Sequence, residues 1–173
     1  ALLYDDKEQI DEAANCLGNL GNCEYQQSRY TEAELCYKKA LELYEQLPEP
    51  PDLNLLSVLD NLALLYQEQE DYEKAEPLFR RALTLTEEIS DENDLDVAYS
   101  LDNLALLYQD QEKYTQAEPL FQRSLQIKQQ ILDSQDLEIA GSLDNLAFLY
   151  QDMERYPEAE NLLTQALELR KQI

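Results

Sequence analysis

The sequence predicts an all-α chain of about eight helices, arranged as four antiparallel pairs stacked into a solenoid. Three observations predict it. The string Leu59–Gln67 (LDNLALLYQ) recurs unchanged at Leu101–Gln109 and with one substitution at Leu143–Gln151, and 20 of 31 positions are identical between residues 59–89 and 101–131. Self-similarity at a fixed period of this size is the mark of a repeat architecture. Apolar residues within each unit recur at three- and four-residue steps, the spacing of one helical face. Glycine is scarce, with 3 in 173 residues, while long helix-forming side chains dominate.

The repeats fall at residues 9–50, 51–92, 93–134 and 135–173 of a single domain spanning 1–173, with a fainter first copy in which Asn19-Leu20-Gly21 aligns with Asn61-Leu62-Ala63. In the second unit, Leu55, Leu59, Leu62 and Tyr66 define the core stripe of a first helix. A turn follows at Gln69-Glu70-Asp71, with Asp71 placed to cap the next helix. That helix carries Ala75, Leu78, Phe79, Ala82 and Leu83 on its apolar side, the alanines permitting close approach. Pro157 falls in a first helical turn, where proline is tolerated; Pro77 and Pro119 lie further in and predict a slight bend. Short polar linkers are expected at Pro48–Pro51, Ser90–Asp94 and Asp133–Asp136.

Charge narrows the function. Acidic residues number 37 against 13 basic, a net charge of −24, which repels nucleic acid and anionic membrane and attracts basic partners. No stretch is long and apolar enough for a membrane span. The chain has no histidine, and its three cysteines form no CxxC pair, so no metal site, no cofactor and no nucleophilic dyad is expected. The repeat register places Cys23 and Cys36 at leucine positions, as small buried hydrophobes, and Cys16 at a partly exposed one. Enzymatic activity is not expected, because the fixed repeat explains paired carboxylates such as Asp60 and Asp102 without chemistry. The acidic run Asp91–Asp96 lacks the glycine and distal glutamate of a calcium loop and reads as solvated. A reducing cytoplasm is the expected location. With no initiating Met, the sequence is expected to be a piece of a longer protein.

The spacing Leu62-Ala63-x2-Tyr66, then Ala75-x3-Phe79-x2-Ala82, resembles the tetratricopeptide signature, and Gly21 supplies that signature's glycine in the first unit. The strings Asn103–Tyr108 and Tyr114–Phe121 are similar to the 42-residue form found in kinesin light chains and bacterial relatives, and the near-identity of adjacent units looks more bacterial. Two departures stand out. Asp94-Leu95-Asp96-Val97-Ala98 replaces the His-Pro pair of the light-chain linker, and Glu87 stands where shorter repeats place a terminating proline. The second helices are therefore expected to run on to about Ile89 and Ile131.

The resemblance implies a right-handed superhelix whose first helices line a concave, peptide-binding face. On that face the sequence places Asn19, Asn22 and Tyr25; Asp60, Asn61, Leu64 and Gln67; Tyr99, Asp102, Asn103, Leu106 and Gln109; and Asp144, Asn145, Phe148 and Gln151. The asparagine ladder offers donors and acceptors to a peptide backbone, or else bonds within the solenoid. Leu64, Leu106 and Phe148 offer apolar contacts, or else pack on the neighbouring helix. Asp60, Asp102 and Asp144 favour a basic ligand, since no basic residue occupies the stripe, or else are merely solvated.

Self-assembly is the second reading. Leu162, Leu163, Ala166, Leu167 and Ile173 form an apolar stripe on the last helix with no polar capping helix after it. End-to-end stacking, exchange of terminal helices into a homo-oligomer, or further repeats would each cover it. At the other end, Ala1-Leu2-Leu3-Tyr4 is similar to the close of a second helix and hints at a preceding unit.

Overall fold

A computed structural model of the chain describes residues 4–47, 53–90 and 94–171. Eight helices are found among them and no strand: α1 Tyr4–Gln26, α2 Tyr30–Tyr44, α3 Leu53–Glu68, α4 Tyr72–Ile89, α5 Leu95–Asp110, α6 Tyr114–Ile131, α7 Leu137–Asp152 and α8 Tyr156–Lys171. The chain forms two compact units, Ala1–Leu85 and Thr86–Ile173, with the boundary inside α4. In the first, α1 packs on α2 and both contact α3; in the second, α5 packs on α6, α6 on α7 and α7 on α8.

Small side chains bring the paired helices together. Ala63, Ala75 and Ala82 are fully buried, as are their counterparts Ala105 and Ala117 one repeat on, with Phe79 and Phe121 filling the space beside them. Pro77 and Pro119 lie inside α4 and α6, which continue through them to Ile89 and Ile131 as the missing terminator predicts. Pro157 occupies the first turn of α8. The Pro48–Pro51 linker, residues 91–93 of the acidic run, Ala1–Leu3 and Ile173 lie outside the described residues.

The turn between paired helices is built four times on one plan. Ser28, Glu70, Glu112 and Glu154 have φ of 59°, 58°, 58° and 59°, in the left-handed region usually given to glycine. The following amide then donates back across the helix end, from Arg29 to Glu24, Asp71 to Tyr66, Lys113 to Tyr108 and Arg155 to Tyr150, at 2.7–2.9 Å. Asp71 sits as expected just before α4, with its backbone oxygen accepting from Lys74 and Ala75 and its carboxylate paired with Lys74. Side-chain caps also occur at the first helix of a pair: Asp94 accepts from the Asp96 amide at 3.1 Å and Asp136 from the Glu138 amide at 2.9 Å.

Candidate functional site

In the second unit the first-helix face is formed by α5 and α7. Core residues Leu101, Leu104 and Leu107 point one way along α5, which leaves Tyr99, Asn103 and Leu106 on the other side. The same division on α7 presents Asn145, Phe148 and Gln151. Leu106 is 38% exposed and Phe148 51%, so both remain open apolar surface. Asn103 and Asn145 are half-buried, and among the described residues neither amide has a hydrogen-bond partner. Two cross-links tie the rungs together: Tyr99 donates to Glu138 at 2.6 Å, and Gln109 to Asp152. The bond to Glu138, reinforced by burial, pushes the Tyr99 hydroxyl up to about 12.

The aspartates behave differently from the sequence expectation. Asp102 is buried, and Lys128 of α6 donates to it at 2.7 Å while also reaching Ser142 of α7 at 3.1 Å. The Tyr99 ring lies 5.0 Å from the same ammonium. Asp144 is paired with Arg170 of α8. Both cations arrive from the second helix of a pair, 26 residues after the aspartate they meet. Neither cation lies on a first helix, where the sequence stripe was drawn. Asp102 and Asp144 are thus compensated within the protein rather than forming an open acidic row. Asp60 is half-buried and likewise engaged by its surroundings.

In the first unit Asn22 and Asn61 are bonded within the protein. Asn61 donates to Asn22 at 2.9 Å, and Tyr37 donates to the same Asn22 oxygen at 2.7 Å. Tyr25 donates to Glu68, and burial followed by that bond raises its hydroxyl to about 12. Leu64 is 38% exposed, and Asn19 is exposed. Asn22 and Asn61 therefore fix repeat geometry, whereas Asn103 and Asn145 keep their amides open.

The cysteines divide as well. Cys36 is buried, but Cys23 is exposed, as is Cys16. Leu65, Leu107 and Leu149 at the register of Cys23 are fully buried. The register was right, but the stripe of α1 that carries Cys23 is not covered among the described residues. On α8, Leu162 and Leu163 are half-buried and Leu167 is exposed. No described helix is long and apolar enough to cross a membrane.

Antiparallel helix pairs with this small–large packing are the form of a helical repeat protein. A family model described as tetratricopeptide repeat matches residues 9–88 and 96–172. The chain belongs to the tetratricopeptide repeat family, and membership marks it as a protein-interaction scaffold. No curated protein matches it. Among solved structures, BtubC (BKLC) from P. vanneervenii superposes with a TM-score of 0.88 at 21% identity, covering 94% of this chain and 65% of that one. A Podosopora anserina kinesin light chain with nearly identical TPR-like repeats gives 0.79 at 19% identity, over 90% of this chain and 74% of that one. The apo form of RapI gives 0.81 at 17% identity, over 93% of this chain and 57% of that one. The chain therefore spans less than two-thirds of BtubC and of RapI, and at these identities the likeness establishes the fold alone.

Proposed function

We propose that the α5–α7 face binds an extended or helical segment of a partner protein. The observation that carries this reading is the pair Asn103 and Asn145, half-buried amides that have no hydrogen-bond partner among the described residues and lie beside exposed Leu106 and Phe148. Two amides at equivalent positions on successive repeats match a peptide backbone, which presents a donor and an acceptor at every residue. The apolar pair gives that backbone something to dock against.

A basic segment is the favoured ligand. Asp102 and Asp144 are already paired, so the preference comes from the field of a chain carrying −24 rather than from one-to-one contacts. Such attraction speeds encounter and weakens with salt. The reading is of a non-catalytic scaffold working in the cytoplasm, with neither nucleic acid nor membrane as its target.

Selection of a random peptide display library on the purified chain tests it. Selected peptides should be rich in Lys and Arg and should bind an Asn103→Ala/Asn145→Ala variant at least about tenfold more weakly. Peptides that bind both proteins equally would remove the asparagine face from the account.

A further inference from the structure

The exposed residues of α5 form one line. Asp96, Tyr99, Leu106 and Asp110 are exposed and Asn103 is half-buried among them, at steps of three and four residues. Asn103 stands midway. Seven residues separate it from Asp96 and seven from Asp110, about 10 Å each way along a helix. One repeat on, Asn145 stands midway between Glu138 and Asp152. The face therefore has an amide centre, apolar ground beside it and a carboxylate margin at either edge.

Glu138 and Asp152 keep their charge. They accept from neutral groups, the Tyr99 hydroxyl and the Gln109 amide, and such bonds leave a carboxylate negative. The bond to Glu138 and then burial raise the Tyr99 hydroxyl, and Asp96 and Asp136 add to the effect, so negative charge gathers at this edge. At the other edge the helix itself disfavours an acid. Asp110 and Asp152 close α5 and α7, where the carbonyl end of a helix is negative and a cation is the stabilising choice. A glutamine would accept the bond from Gln109 as well, so fold stability does not account for Asp152.

We infer that the partner segment lies extended along Asn103 and Asn145 and reaches both margins with long basic side chains, an inference that rests on the peptide reading of the α5–α7 face. In an extended chain successive side chains point to opposite sides. One set crosses the Tyr99 ring towards Asp96 and Glu138, and the other crosses Leu106 and Phe148 towards Asp152. Lys and Arg suit both paths, because their stems lie along apolar surface while the charged heads stay in water. An α-helical ligand bonds its own backbone groups and offers little to the asparagines. Stem length, and not charge alone, then sets the affinity.

Oligolysine, oligo-ornithine and oligo-diaminobutyrate of equal length test this, since near neutral pH they share one positive charge per residue and differ in stem. Against the 173-residue chain, fluorescence anisotropy of the labelled peptides should rank them in that order. Ornithine should bind about threefold and diaminobutyrate about tenfold more weakly than lysine. Asp96→Asn/Glu138→Gln/Asp152→Asn should flatten the series. Glu88→Gln/Glu160→Gln/Glu168→Gln, which removes the same charge from second helices, should leave the ranking intact. Equal affinity across the series, or identical losses in the two triple variants, would overturn the margins without touching the asparagine reading. No saturable binding by any of the three peptides would overturn both.

Discussion

Lys128 Nζ lies 2.7 Å from a carboxylate oxygen of Asp102, and both side chains are almost wholly shielded from water. The pair links α6 to α5 while the same ammonium reaches Ser142 on α7, so three helices depend on one cation. Removing the cation alone leaves a carboxylate buried without compensation. Lys128→Met is expected to destabilise by about 3–5 kcal/mol, while Lys128→Met with Asp102→Leu recovers most of that loss. Urea unfolding of the two variants checks the difference. Equal stability of the single and double variants would mean that the pair is not what holds this layer.

Gly21 and Tyr37 form a second matched pair. A Cβ built on Gly21 would lie 2.5 Å from the Tyr37 ring, too close for any real contact. The next repeat uses Ala63 and Phe79 at the same positions. Gly21→Ala should cost about 1–3 kcal/mol through overpacking, and adding Tyr37→Phe should relieve part of it by freeing the ring from Asn22. Thermal midpoints of the single and double variants give the answer.

Ser124 is fully buried, and its hydroxyl has no hydrogen-bond partner among the described residues. The equivalent positions Ala40, Ala82 and Ala166 are alanines, all fully buried. Ser124→Ala should therefore stabilise by about 1 kcal/mol, read as a higher denaturant midpoint at unchanged slope.

Alkaline pH acts through the tyrosines. Tyr25, Tyr37 and Tyr99 are each pushed from 10.0 to about 12, Tyr37 and Tyr25 chiefly by burial and Tyr99 chiefly by its bond to Glu138. The folded state thus keeps these protons where the unfolded chain loses them. Their contribution is complete below pH 10 and is lost as pH rises from 10 towards 12. Unfolding midpoints should fall across that window, and Tyr99→Phe should flatten the fall.

The fold was legible because its signals are local and repeated: the 42-residue shift, the helical spacing and the missing proline at Glu87 place all eight helices. The chemistry of the face was less legible, because it depends on residues remote in sequence. Lys128 and Arg170 belong to second helices and meet Asp102 and Asp144 only after the pairs fold back on themselves. Asn61 shares the register of Asn103 and Asn145, yet Asn22 of the preceding repeat, at the register of Leu64, Leu106 and Phe148, accepts from it and from Tyr37 and draws it into an internal network. Cys23 shows the same limit: repeat register predicts what a position faces, but burial also needs a neighbouring helix.

Binding of a basic segment on the α5–α7 face through Asn103 and Asn145 is directly measurable. Fluorescence anisotropy of a labelled Lys/Arg-rich peptide, run beside an acidic peptide of equal length at low and high salt, tests it most directly. The basic peptide alone is expected to bind saturably, more weakly in salt, and about fivefold more weakly to each of Asn103→Ala and Asn145→Ala. Equal binding of both peptides, or binding untouched by the asparagine variants, would contradict it.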